Sequence, residues 1–191
     1  MKVGIITGSI REGRVNLGVA QWVKEVVEAS GKVEVEIVDL KEYDLPMFAE
    51  PMSPAYTTEL VESAKHAPWS AKIASLDAFI FVTPEYNHGI PSVLKNALDF
   101  LYNEWNNKAA GIVSYGSGGG IRSAEQLRVI LSELQVAHVR TNPTFSLFTD
   151  FGEEGFKPAA EKIQKDTVLG MLDQLVLWGE AMNGVRAKLS K

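Results

Sequence analysis

Short apolar runs rich in β-branched residues alternate along the chain with longer stretches in which apolar positions recur every three or four residues. That alternation is the pattern of strands and helices in βαβ units. The runs predict strands over residues 2–7, 33–39, 78–83, 109–114 and around 137–140. The stretches between them predict a first helix over 16–30, with Val19, Val23, Val26 and Val27 inward and Gly31 as its stop. A second helical region is expected to start near Thr57, with Pro68 opening a new short helix, because proline suits a first turn better than a helix interior. Further helices are expected over 92–102, 123–134 and 158–183.

Five strands with helices on both faces give an α/β, flavodoxin-like three-layer sandwich: one domain over 1–191 around a five-stranded parallel sheet of order 2-1-3-4-5. The stretches 41–56 and 141–157 are too structured in composition to be linkers. In such sheets ligands sit outside the carboxyl ends of the strands, where the chain changes direction across the sheet. Function is therefore expected in the loops after strands one, three and four.

Composition narrows the chemistry. The 191 residues include no cysteine, which excludes disulfides, zinc-thiolate sites, iron–sulfur clusters and cysteine nucleophiles. A formal charge of −5 with scattered cations gives no basic stripe for nucleic acid. The first apolar stretch is too short for a signal segment and none approaches a membrane span, so a cytoplasmic location is the default expectation.

The loop after the first strand, Gly8-Ser9-Ile10-Arg11-Glu12-Gly13-Arg14-Val15-Asn16, leads into a helix N-terminus. Its glycines, exposed amides and Arg11 suit a phosphate cradle. Arg14-Val15 stands where a P-loop needs lysine and a hydroxyl, and the dinucleotide pattern of glycines is missing, so a terminal monophosphate remains. After the third strand, Pro84-Glu85-Tyr86-Asn87-His88-Gly89-Ile90-Pro91 has both ends fixed by proline and mixes an aromatic with polar groups, a combination suited to a flat heteroaromatic ligand. After the fourth, Gly116-Ser117-Gly118-Gly119-Gly120 is either a flexible loop or a place where backbone approaches a ligand.

Together these loops resemble the NADPH-dependent FMN reductase family, which includes quinone, azo-dye and chromate reductases. The likeness lies in Gly8-Ser9-Ile10-Arg11 with Asn16, in Pro84-Glu85-Tyr86-Asn87 leading to Leu94-Lys95-Asn96-Ala97-Leu98-Asp99, and in Gly116 with Gly119-Gly120. The resemblance implies that Ser9, Arg11 and Asn16 hold the FMN phosphate, with the backbone through Arg14 and Val15 closing around it. It also implies that Pro84, Glu85, Tyr86 and Asn87 line the isoalloxazine, with Ser117, Gly118 and Gly119 approaching its other side. Many members carry serine or threonine where Gly13-Arg14-Val15 stands, so Arg14 is either a contact or a solvated side chain.

The implied activity is NAD(P)H-dependent reduction of quinones, free flavin, azo compounds or metal oxyanions by ping-pong hydride transfer through flavin N5, with NADPH or NADH as donor. No catalytic triad or metal site is expected, since the cofactor performs the electron chemistry. His88 reads as a positioning or exposed residue. The tryptophans read as packing groups, with Trp105 alone close enough to a helix to reach an interface or site edge. In the helix over 92–102, Val93, Leu94, Ala97, Leu98 and Leu101 form one stripe, while Phe100, Tyr102 and Trp105 extend the apolar surface beyond one core contact. That excess, with the resemblance, predicts a homodimer or homotetramer. The competing reading from another class is a non-enzymatic FMN-binding electron carrier or regulatory module; Arg11, Arg14 and Arg122 beside the glycine-rich loops favour an enzyme, because carriers present acidic surface around the flavin.

Overall fold

The computed structural model describes residues 1–57, 63–153 and 155–189. Five parallel strands, β1 (Lys2–Thr7), β2 (Glu34–Asp39), β3 (Ala78–Pro84), β4 (Ala109–Gly116) and β5 (Ala137–His138), run in the order β2-β1-β3-β4-β5. Each strand is added on one side or the other of β1 through a helix, so the order expected from the sequence is the order observed. β3 and β4 are buried at every position, as strands covered on both faces must be. Their alternation divides the core. Phe79, Phe81 and Ile112 face α2 (Ser63–Ala74), α3 (Ser92–Asp99) and α4 (Ile121–Glu133), while Ile80, Val82 and Val113 face α1 (Asn16–Ala29) and α5 (Glu161–Leu189).

Three departures from the sequence reading have physical causes. Pro68 lies inside α2 and does not open a new helix. Pro68 and Ala64, whose carbonyl loses its partner there, are both exposed, and water can satisfy that carbonyl. At the next residue the helix is pinned by the buried Trp69, whose Nε1 donates to Ala97 O at 2.8 Å. The start expected near Thr57 involves residues 58–62, which lie outside the described residues.

The edge strand is split. After β5, Pro143 has no N–H to give the ladder. Asn142 Nδ2 supplies a donor instead, to Ile112 O at 2.8 Å, and pairing to β4 resumes as β6 (Thr144–Ser146), within a stretch read as loop. Beyond it a two-stranded ribbon, β7 (Phe151–Gly152) and β8 (Gly155–Phe156), packs Phe151 and Phe156 against Tyr115, Trp22 and Phe145. The ribbon's base is gathered by the buried Asp150 carboxylate, which accepts from Ser146 N, Ala159 N and Gln164 Nε2. Burial raises the Asp150 pKa, but these donors outweigh it and hold the carboxyl below its ordinary value.

The third departure concerns the apolar side chains at the end of α3. Phe100 and Trp105 are core residues and not surplus surface: α3 ends at Asp99, the chain turns inward, and both side chains are fully enclosed, with Trp105 against Phe79 at 4.9 Å and Trp69 at 5.9 Å. Trp105 therefore reaches neither the surface nor the site; of the three side chains read as surplus apolar surface, Phe100 and Trp105 belong to the core and Tyr102 is half-buried against it.

Candidate active site

The carboxyl ends of β1, β3 and β4 bring three loops to one rim of the sheet. Their meeting forms a cleft of about 330 Å³ lined by Arg11, Glu12, Gly13, Arg14, Val15, Pro84, Glu85, Tyr86, Tyr115, Gly116 and Leu147. Of the expected residues, Arg11, Arg14, Val15, Pro84, Glu85 and Tyr86 line it directly. Ser9 and Asn16 lie beneath the first loop and are fully buried. Asn87 stands on an exposed turn, and Ser117, Gly118 and Gly119 sit on the rim, outside the lining.

The first loop is shaped by contacts to the two strands flanking β1. Gly8 N donates to Val82 O at 2.8 Å, and a Cβ on Gly8 would stand 2.9 Å from that oxygen, so only glycine passes. Asn16 Nδ2 donates to the same carbonyl at 3.0 Å, while Asn16 Oδ1 is enclosed with no hydrogen-bond partner among the described residues. On the opposite side Arg14 turns inward: its guanidinium donates to Ser9 O and forks onto both carboxylate oxygens of Asp39 at the end of β2. Asp39 also accepts from Thr7 Oγ1 at 2.9 Å and Lys41 N at 3.0 Å. Burial pushes the Asp39 carboxyl up, and the Arg14 guanidinium with these two donors outweighs it, leaving the pKa below its ordinary value.

Among the described residues the first turn of α1 has no side-chain cap, and it contains no acidic residue. Its amides, with Arg11 exposed above them, therefore present unneutralised positive potential to the cleft. The N-terminus of α4 differs. There Glu85, its side chain nearly buried, accepts from Arg122 N at 3.1 Å and pairs with the Arg122 guanidinium, so this terminus is already capped by a carboxylate from the third-strand loop. Burial raises the Glu85 pKa, and Arg122 with nearby His88 brings it below the ordinary value.

The third-strand loop is a tight two-residue turn. Tyr86 N donates to Gly89 O at 3.0 Å and Gly89 N to Tyr86 O at 3.1 Å, with Asn87 and His88 at φ 50° and 69°. Two left-handed central residues are the signature of a type I′ turn, and neither is glycine. Glu85 N donates to Tyr115 O at 3.0 Å. The amides of Asn87 and His88 have no backbone acceptor among the described residues, so they are the loop's available backbone donors.

The fourth-strand loop is held by Ser114 Oγ, which donates to Gly119 O at 2.8 Å, and by two left-handed glycines, Gly119 at φ 75° and Gly120 at φ 72°. Three contributors were missed from sequence. Tyr115 belongs to an apolar run and reads as core; its phenol is pushed up by burial, with the Asn16 amide opposing. Leu147 follows a strand that proline concealed. Asp39 lies 25 residues beyond Arg14, and the signal that finds it is positional, because the ends of β1 and β2 share one edge of the sheet.

Comparison with known proteins bears on the family and the fold. The description of the NADPH-dependent FMN reductase family matches residues 1–150. An NAD(P)H-dependent FMN reductase of Nectria sp is 37% identical over 190 residues, covering 91% of this chain and 94% of the relative. A quinone reductase of Escherichia coli K12 is 30% identical over 194 residues, covering 97% of each. Among solved structures, the flavoenzyme NAD(P)H:(acceptor) oxidoreductase FerB of Paracoccus denitrificans superposes with a TM-score of 0.71 at 22% identity, covering 95% of this chain and 98% of that one, a likeness of fold. With the match spanning all three loops of the cleft, the chain belongs to the NADPH-dependent FMN reductase family.

Proposed function

We propose that this chain is an FMN-dependent NAD(P)H oxidoreductase acting on small planar acceptors such as quinones, with donor and acceptor using one cleft in turn. The observation that carries the reading is the uncapped α1 terminus and exposed Arg11 at the end of a cleft whose remaining wall is Pro84, Glu85, Tyr86, Tyr115 and Gly116. A phosphate fits that terminus, where negative charge is favoured, and a flat ring fits the wall. Among the described residues no group of three histidine or carboxylate side chains is placed to hold a metal ion, and no helix is long and apolar enough to cross a membrane.

FMN held in this cleft would supply two-electron redox chemistry between NAD(P)H and the acceptor. The chain's residues place it. Arg11 and the first-turn amides would hold the phosphate, and the Asn87 and His88 amides, on the turn beside the cleft, would be donors for negative charge developing on the ring's polar edge. Glu85 braces that loop against α4 through its pairing with Arg122.

The test is the visible spectrum of the purified protein, release and identification of its flavin, and NAD(P)H oxidation with a quinone. A yellow protein that turns over is expected; a colourless protein that refuses added FMN at saturation overturns the reading. Within it, Arg11→Ala is expected to weaken FMN binding by about 1.5–3 kcal/mol, the usual worth of a hydrogen bond to a charged group. Unchanged affinity by fluorescence titration would remove Arg11 from the phosphate site.

A further inference from the structure

Tyr86 belongs to the loop that walls the ring end of the cleft, yet its side-chain contacts run to the phosphate loop. Its Oη lies 2.8 Å from Ser9 Oγ. Its ring lies under the Arg11 guanidinium, whose Cζ is 5.5 Å from the ring centroid. Ser9 has no exposed surface, so its hydroxyl meets Tyr86 and not the open cleft, and the same Oγ accepts a long bond from Arg11 N at 3.4 Å. The backbone of Tyr86 is itself fixed by the two hydrogen bonds of the type I′ turn. One rigid phenol thus grips both the start of the phosphate loop and the cation that stands above it.

We propose that Tyr86 is a positioning residue that makes this site prefer a phosphorylated flavin, and that Ser9 acts through Tyr86 instead of touching the phosphate. The proposal rests on the FMN-binding reading. An aromatic that served only the ring would support riboflavin and FMN equally. Tyr86 supports the phosphate loop: the cation–π contact places Arg11, and the hydroxyl pair sets the height of the loop whose amides face the anion. The ring contact is kept in Tyr86→Phe, which removes only the hydroxyl.

The experiment is titration of FMN and of riboflavin, separately, into flavin-free wild type, Tyr86→Phe, Ser9→Ala and the double variant, with circular dichroism melts on each. Wild type is expected to prefer FMN. Tyr86→Phe is expected to lose about five-fold in FMN affinity, within the span of one neutral hydrogen bond, with riboflavin affinity unchanged. Ser9→Ala is expected to show the same loss, and the double variant no more than either single one, because both remove one bond. A Ser9→Thr variant, which restores a hydroxyl, is expected to recover FMN affinity.

Equal losses for both flavins would make Tyr86 a ring contact and overturn the proposal. Additive losses, or a Ser9→Ala defect with Tyr86→Phe unaffected, would make Ser9 an independent phosphate ligand and overturn it too. Wild type that binds neither flavin would sink the FMN-binding reading itself, an outcome distinct from the other two. Should Tyr86→Phe fold poorly, the Ser9→Ala and Ser9→Thr pair reads the same bond from its other end.

Discussion

Arg14→Ala is expected to lower the unfolding free energy at pH 7 by about 3 kcal/mol, the lower end of the range for breaking a buried ion pair. The pair qualifies because the side chains of Arg14 and Asp39 are only 10% and 12% exposed. Removing Arg14 strands the Asp39 carboxylate, and Thr7 and Lys41 N–H, which remain, keep the loss from reaching the upper end. The pH dependence has a definite sign. Asp39 has a folded pKa below its unfolded one, near 3.9, so it contributes stability above that value and loses it as pH falls through the lower, folded value. Wild type and variant should therefore differ most near neutrality and converge below about pH 3.9. Denaturant melts at pH 7 and pH 3 measure this; an undiminished gap at pH 3 would detach the loss from Asp39.

The other large effect is expected at Gly120. A Cβ there would stand 2.6 Å from Tyr115 N and 2.7 Å from Tyr115 O, both backbone atoms that cannot step aside, at a φ of 72°. Left-handed backbone and overpacking together put the cost of Gly120→Ala at about 2–5 kcal/mol. Because Gly120 joins β4 to α4 beside the cleft, FMN affinity should fall with stability. Gly13 is the control. It is also left-handed, at φ 63°, but a Cβ would meet nothing within 4 Å among the described residues, so Gly13→Ala should cost only about 1–2 kcal/mol. Thermal melts showing equal losses at the two positions would mean that dihedral strain alone, and not the Tyr115 backbone, decides Gly120.

How much of this was legible in the sequence depends on whether a signal is local. β1, β3 and β4 announce themselves through unbroken apolar runs, and the helix-strand alternation with right-handed connections narrows the sheet to the doubly wound orders, of which 2-1-3-4-5 is the flavodoxin-like one. The loops of the cleft were legible for the same reason, since glycine and proline punctuate them. What escaped was tertiary. Pro68 tolerates a helix because Trp69 is anchored on α3, which no local pattern reveals. Phe100 and Trp105 read as surplus apolar surface only until the chain after Asp99 folds inward. β6 was hidden by Pro143, whose missing donor a side chain replaces. In the site, the loop residues were named but their directions were not: Arg14 faces Asp39, Ser9 faces Tyr86, and Glu85 faces α4, each choice made by a partner 25 to 77 residues away.

The two arginines of the first loop stand in different solvents. Ions in bulk water reach Arg11, which is exposed, and at 1 M salt screen charges beyond about 3 Å; they reach Arg14 poorly, because its carboxylate partner is enclosed with it. Brine should therefore loosen the grip on an anion while leaving the shape of the grip intact, so that a protein stripped of its ligand in concentrated salt recovers it on dilution without refolding.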